Sequence, residues 1–440
     1  MELKLPYGKD VLRLSLPDSR KVDLAKTSPV KPDSAPERQV RDALKNPIGS
    51  GRLEDLVESK EGPAEALKAT IIIDDKTRPC PDDMLVPLIV ERLTDSGVKP
   101  ENVTVVVATG LHEPPNESEV RRLAGGDDLP DGLSLVGHDA INSDLESIGR
   151  VSQGYEVEIN SAVSGADIKI STGFIEPHFF AGFSGGRKSI LPGVASKDAI
   201  LANHSFENIG NDRASTGVLK GNPVHEGATE AADLAQLDFA LNVVLNKDQE
   251  VVGVFAGDFR EVLRYGVSRD LDVCGVKLDG RYDAVVTTNS GYPLDQDLYQ
   301  TVKGMYTASL IAEPGAPIIV ASECSAGLGP DRFYSLNRDN PDPESVLDYI
   351  EKNGPMVAQW ENQVLCNVLK DHEIYLKSSL PDRKVKDMML EPLENIEGFL
   401  KELVRGLEGN ERVLALPEGP FSLPYIKGSK LERTILEYGE

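Results

Sequence analysis

The sequence predicts an α/β protein of two domains with mainly parallel sheets and an active-site cleft between them. Short continuous apolar runs, ATIIID at 69–74, VTVVVA at 103–108 and IKIS at 168–171, alternate with helical stretches. That is the pattern of strands buried on both faces of a parallel sheet. The alternation restarts near residue 280. Polar segments follow the runs where strand ends would fall: DDKTRPCP (74–81), ATGLHEPPN (108–116), TGFIEPH (172–178) and NSGYPLDQ (289–296). Ligands of open parallel sheets bind beyond the carboxyl ends of the strands. Loops from both halves put the expected cleft between the domains.

Taken in order, residues 2–16 alternate as a hairpin around Tyr7-Gly8-Lys9-Asp10. Ser34-Ala35-Pro36-Glu37 reads as a capping box opening a helix to Leu44. Helices are predicted at 83–95, 117–124 and 258–265, and strands at 239–245 and 251–255. The second half has strands at 282–288, 316–321 and 412–415, with helices near 296–312, 342–352, 358–369 and 391–404. The boundary falls within 271–283. The predicted domains are therefore 1–275, carrying most of the chemistry, and 276–415, adding substrate contacts. A tail at 416–440 is expected to pack back on the first domain.

The 440 residues are 40% hydrophobic and 27% charged, with a formal net charge of −25, the profile of a globular protein. Such an acidic chain argues against nucleic acid as a partner. The four cysteines, at 80, 274, 324 and 366, form no CxxC pair, so neither a zinc knuckle nor a disulfide framework is expected. No run approaches the ~18 apolar residues of a membrane span, and the start lacks the apolar core of a signal peptide. The expectation is a cytoplasmic protein with no membrane partner; oligomeric state is not legible.

The densest chemistry lies at 173–204, GFIEPHFFAGFSGGRKSILPGVASKDAILANH. GFSGGRKS departs from the nucleotide phosphate loop G-x-x-x-x-G-K-[ST], because Arg187 precedes Lys188 and Pro192 follows it. Lys188 stands ten residues after His178 and sixteen before His204, next to Gly185 and Gly186, which let a bulky group approach. A lysine there is either a solvated charge or an anchor, and lysines do form covalent links to cofactors; the setting favours the anchor. His112, His178 and His204 lie on loops expected to converge. Imidazole suits nickel, copper, iron and zinc alike, and His112-Glu113 lacks the second histidine of a zinc-protease helix. His138, His225 and His372 read as structural. Arg78 is suited to a carboxylate or phosphate, against a local ion pair with Asp75. In DQDLYQTVK (295–303), Tyr299, Gln300 and Lys303 share one helix face: an anion clamp at a helix start, or a solvated amphipathic face.

The block at 173–204 resembles the signature of the nickel-dependent lactate racemase family of hydroxyacid racemases and epimerases. DDKTRP, ATGLHEPP, GNPVHEG and GYPLDQDLYQTVKG are similar to its other motifs, in the same order, over nearly the whole chain. The resemblance implies a nickel-pincer nucleotide, the nickel complex of pyridinium-3,5-bisthiocarboxylic acid mononucleotide, tethered to Lys188 with His204 as nickel ligand. It implies His112 and His178 as acid/bases on opposite faces of a small 2-hydroxy acid. Arg78, Gln300 and Lys303 would hold the substrate, Asp75 would orient the arginine or a histidine near the cofactor, and Tyr299 and Trp360 would line the pocket. Enzymes that build the cofactor are implied partners. The alternatives are a histidine-ligated metal hydrolase without organic cofactor and a non-catalytic anion-binding module.

Overall fold

The computed structural model describes residues 2–16 and 21–438. Met1, residues 17–20 and residues 439–440, which belong to the expected first domain and tail, lie outside the described residues. The chain folds as two compact units. One is built from 29–203, 218–273 and the residues from 437 on; the other is built from 1–28, 204–217 and 274–436.

The first unit is centred on a six-stranded sheet. Its order is Val251–Gly257, Phe239–Leu245, Ile168–Ile175, Ala69–Asp74, Val103–Ala108, Ser134–Gly137. All neighbours are parallel except the outermost Phe239–Leu245 and Val251–Gly257 pair. Ile71 pairs with Val105 on one side and Ile170 on the other. Side chains alternate across the sheet, so Ile71, Ile73, Val105 and Ile170 enter one core with Leu85, Ile89 and Leu93 of the helix Asp82–Asp95. Ile72, Val106 and Ala240 enter a second core on the opposite face. That second core is closed by Ile190, Leu191 and Val194, and by Ala228, Ala231 and Ala232 of the helix Pro223–Leu234. The segment after Lys188 is thus one lid of the sheet.

The second unit holds another six-stranded sheet, ordered Glu391–Pro392, Ile374–Lys377, Ile318–Ala321, Ala284–Thr288, Val413–Leu416, Val22–Leu24, and all parallel. The antiparallel hairpin Glu2–Tyr7 and Asp10–Ser15 buries Leu3, Leu5 and Leu14 with Val286 and Ile319. The helix Gln359–Asp371 packs on the helices Phe206–Ile209, Leu298–Ser309, Asp331–Arg338 and Pro343–Asn353. No helix among the described residues is long and apolar enough to cross a membrane.

Three local expectations are corrected. The helix Pro36–Lys45 has Ala35 at its N-cap and no side-chain cap, because proline favours the first helical position and so shifts the cap past Ser34. The strand predicted at 168–171 runs on to Ile175 with all eight residues buried, so only Glu176 onward is loop. The helix predicted at 258–265 continues to Cys274.

Ile71, buried at the centre of the first sheet, gives a direct check of the two-sided core. Ile71→Ala should cost about 2–5 kcal/mol and Ile71→Val about 0.5–1.5 kcal/mol, read from the urea midpoint of the transition that carries this unit.

Candidate active site

Within the first unit, the loops after Ala69–Asp74, Val103–Ala108 and Ile168–Ile175 leave the same edge of the sheet, because the three strands are parallel and adjacent. The first two loops meet directly. Asp75 Oδ2 lies 2.5 Å from His112 Nδ1, while Asp75 Oδ1 accepts from the amide and hydroxyl of Thr77 at 2.8 and 2.5 Å. Burial alone would raise the Asp75 pKa, but His112, Thr77 and Arg78 together hold it down at about 2. The carboxylate therefore stays ionised, and it takes Nδ1–H of His112, which turns Nε2 away from Asp75. The histidine, half exposed, faces outward. Arg78 is exposed and, among the described residues, makes no salt bridge to Asp75; of the two readings of Asp75, the histidine partner is the one formed.

On the third loop, Pro177–His178 and Gly182–Phe183 form a two-residue antiparallel ladder. His178 stacks on Phe179 at 5.1 Å between centroids and meets Phe180 edge-on at 4.6 Å. Its Nδ1 accepts from the Ala181 amide at 3.3 Å. The half-buried Lys188 puts its ammonium 6.0 Å from the centre of the Phe180 ring, so lysine and histidine share one aromatic wall.

What fixes Lys188 is the residue before it. Arg187 is 1% exposed. Its Nε donates to His225 Nδ1 at 2.8 Å, one terminal nitrogen to Ser184 O and Gly185 O, and the other to Ala181 O and Phe183 O. A guanidinium has five N–H groups, and all five are used. Burial lowers its pKa to about 9, still charged at neutral pH. Burial, with the charges of Arg187 and Arg260, pushes His225 down to about 2, so His225 is a neutral acceptor. The loop 181–187 is wrapped around one cation.

Gly185 has φ +103, and a Cβ there would lie 2.9 Å from Ile175 Cγ1 and 3.1 Å from Asn242 Oδ1. The missing side chain serves close packing of turn on strand, so the space beside this glycine is already filled. Asn242, buried in the strand Phe239–Leu245, accepts the Gly186 amide at 2.9 Å. Its Nδ2 is buried without a partner.

Beneath Asp75 lies a pair of acids. Asp82 accepts from Thr172 Oγ1 at 2.5 Å, from Cys80 Sγ at 3.4 Å and from the Asp74 amide at 3.2 Å. Ligand-type atoms of Asp74, Cys80 and Asp82 all lie within 4.8 Å of one another. Burial pushes Asp74 up to about 7, although Arg78 and Lys188 pull it down, and burial with the Asp74 charge pushes Asp82 up too.

The remaining candidates gather in the second unit. The helix Lys197–Asn203 ends just before His204, a buried ring that meets Trp360 edge-on at 5.2 Å. Gln359 Nε2 donates to His204 O at 3.3 Å. Trp360 Nε1 donates to the Tyr299 hydroxyl at 2.9 Å, and Lys303 Nζ donates to Gln300 Oε1 at 2.7 Å. His204, Trp360, Tyr299, Gln300 and Lys303 are thereby brought together. The helix start is not an open anion site, because the Asp297 carboxylate caps it and takes the Gln300 amide at 2.8 Å. The sequence reading passed over Arg187 as a scaffold, and also Asn242, Asp82 and Glu361. Asn242 had a signal, a lone amide in the apolar run FALNVVL; Glu361 had none. His138 and His372 are buried with ring nitrogens bonded to the carbonyls of Ala195 and Ala316.

Residues 7–217 match the lactate racemase N-terminal domain and residues 279–422 the lactate racemase C-terminal domain. The chain is 38% identical over 424 residues to the lactate racemase of Thermoanaerobacterium thermosaccharolyticum, covering 95% of this chain and 97% of that one. It is 34% identical over 426 residues to that of Lactiplantibacillus plantarum, covering 95% and 98%. The lactate racemase apoprotein structure from T. thermosaccharolyticum superposes with a TM-score of 0.87 at 37% identity, over 97% of this chain and all of that one. A protein from Thermotoga maritima shares the fold at 17% identity and a TM-score of 0.65, over 90% of this chain and all of that one. Fold and relatives define an isomerase of the racemase class. The chain belongs to the lactate racemase family.

Two measurements test the local energetics. Arg187→Lys offers three donors to five acceptors, and the stranded carbonyls should cost about 3 kcal/mol or more, seen as a lower urea midpoint and faster proteolysis within 176–196. The Asp74 carboxyl, whose folded pKa lies above its unfolded value of about 3.9, destabilises the fold increasingly as pH rises from 4 through 7. Asp74→Asn should therefore raise the urea midpoint relative to wild type more at pH 8 than at pH 5.

Proposed function

We propose that the chain inverts the C2 stereocentre of a small 2-hydroxy acid, lactate or a close relative, with a nickel-pincer nucleotide on Lys188. The observation that carries this is the Asp75–His112 contact of 2.5 Å, a carboxylate-oriented imidazole presented beside an exposed arginine.

The residues present fit such a cofactor. Lys188 is half-buried against Phe180 on a turn clamped by Arg187, His204 offers an imidazole braced by Trp360, and the orphaned Asn242 Nδ2 behind the turn is a donor in want of an acceptor. In this reading Lys188 is the tether, His204 the nickel ligand, and Tyr299 and Trp360 wall residues. Asp75 acts through His112, and Gly185 and Gly186 shape the turn that carries the lysine. When bound, the group supplies an acceptor for hydride at C2, which avoids removing a proton from a carbon that a carboxylate acidifies poorly.

The chain's own residues do the rest. Arg78, Gln300 and Lys303 hold the substrate carboxylate and oxygen. His112, with Nδ1–H held by Asp75, takes the hydroxyl proton at Nε2 from one enantiomer. His178 serves the other enantiomer by taking the proton on Nδ1 once its long contact with the Ala181 amide is released, and each histidine returns the proton that the opposite direction requires. Two bases on separate loops suit a substrate whose oxygen is approached from two sides. Enzymes that build the cofactor are required partners, and the cytoplasm is the proposed compartment.

Intact mass of protein co-expressed with the cofactor-making enzymes should show an adduct that Lys188→Ala removes. An unmodified wild-type mass together with no racemisation would overturn the proposal. His112→Ala and His178→Ala should each abolish interconversion, lowering the rate by at least about a hundredfold. Each should retain 2-oxo acid formation in a single turnover from only one enantiomer, opposite for the two variants. Equal behaviour towards both enantiomers would refute the two-base assignment.

A further inference from the structure

The motif GNPVHEG at 221–227 opens the helix Pro223–Leu234, and the proposed reaction gives it no part. Asn222 is buried and caps the helix, its Oδ1 taking the amides of Val224 and His225 at 3.0 and 3.3 Å. Its Nδ2 donates to Phe180 O and to Val218 O, both at 2.9 Å. His225 Nδ1 takes the Nε–H of Arg187 at 2.8 Å. Between the two, Val224 O accepts Asn203 Nδ2 at 3.3 Å, and the same nitrogen donates to the Tyr155 hydroxyl at 3.0 Å. Gly227 clears space for that pair. A Cβ there would overlap the Tyr155 hydroxyl and lie 2.8 Å from Asn203 Nδ2.

Each contact ends on an element that carries a residue of the proposed site. Phe180 is the ring against which His178 and Lys188 lie; Arg187 precedes Lys188, and Asn203 precedes His204. All of the contacts spring from residues 222–227, over which a helix rises only about 7.5 Å. A hydrogen-bonded turn moves as a unit, so a shift that frees one contact strains the others.

Resting on the proposed function, we infer that the start of this helix is a bracket, with Asn222, His225 and Gly227 as positioning residues. Together they hold the Lys188 turn, the His178 loop and the end of the helix Lys197–Asn203 in one frame. Each residue type suits its contact. An asparagine accepts from the helix amides and donates to a loop carbonyl at once, which an aspartate cap cannot do. A neutral imidazole takes a guanidinium N–H without adding charge. Glycine is a poor helix residue, and here the hydroxyl that fills its side-chain space accounts for it. The proposed chemistry gains from such a frame, because misplacing a reacting group by about 1 Å can cost about a hundredfold in rate.

Amide exchange of the full chain, read by mass in peptides from 176–190 and 197–204, tests the coupling. Gly227→Ala presses on Tyr155, Asn203 and Gln153, none of them in 176–190, yet it should speed exchange in both segments about tenfold. His225→Leu acts at Arg187 and should likewise speed exchange at 197–204. His225→Asn sets an oxygen where Nδ1 lies and should return both segments to within about twofold of wild type. Should Gly227→Ala fail to fold, Asn222→Asp carries the test: it keeps the cap but loses the donor to Phe180 O, and both segments should exchange about threefold faster or more. In cofactor-loaded protein, His225→Leu should keep the adduct mass and a KM within about threefold, and lose about tenfold or more in kcat. Exchange that rises only in the segment each variant touches, or a raised KM at unchanged kcat, would overturn the inference while leaving the proposed reaction standing. Wild-type protein that gains no adduct and racemises no hydroxy acid removes the proposed function, and the positioning role with it.

Discussion

The five hydrogen bonds of Arg187 are the constraint on which the turn that carries Lys188 depends. A guanidinium without a carboxylate is an uncommon thing to bury, because desolvation of a lone charge is costly. Here four carbonyls and one neutral imidazole supply every acceptor it can use. The carbonyls belong to residues 181–185, so the backbone has no freedom to fray without stranding the charge. Because Arg187 is locked, the adjacent Lys188 emerges in a fixed direction although its own stem is flexible. The C-terminus takes part, since the Tyr438 hydroxyl accepts the Leu219 amide at 2.8 Å and its ring meets Phe183 edge-on.

A second theme is how a chain of net charge −25 manages acids near places proposed to hold an anion. Asp74 and Asp75 are adjacent, yet one is raised to about 7 and the other lowered to about 2. Burial raises Asp74, with the charges of Asp75 and Glu176 adding to it, whereas the imidazole and hydroxyl that Asp75 faces outweigh its burial. The carboxylate that faces His112 is held firmly ionised, while its neighbour is only partly so at neutral pH. Glu361 in the other unit is likewise buried and raised, to about 8, against the pull of Lys303. Burial, ordinarily a penalty on ionisation, works here to keep unwanted negative charge out.

The fold was largely legible because strands buried on both faces leave continuous apolar runs, and both parallel sheets announced themselves that way. Pieces of three or four residues, such as Val22–Leu24 and Ile374–Lys377, left too little periodicity to read. The end of the strand at 175 was misplaced because Thr172 and Gly173 look like loop residues, yet Thr172 serves as a buried donor to Asp82. Of the site, the residue types were legible and the supporting contacts were not. Nothing local distinguishes Arg187 from a solvated arginine, since its acceptors are carbonyls, which every residue has. The Asp75–His112 contact joins loops 37 positions apart, and only the parallel pairing of two strands brings them within reach.

One edge of the second sheet has a consequence for how the protein comes into being. Val22 pairs with Val413 and Leu24 with Ala415, so a strand made at the start of synthesis waits for nearly the last. At a ribosomal rate of about 5–20 residues per second, its partner arrives roughly twenty to eighty seconds later. For most of that time, until Val286 and Ile319 are made, the leucines of the N-terminal hairpin lack the core partners they are destined for. A fusion partner or tag at the amino end therefore acts first on the half of the molecule that is finished last.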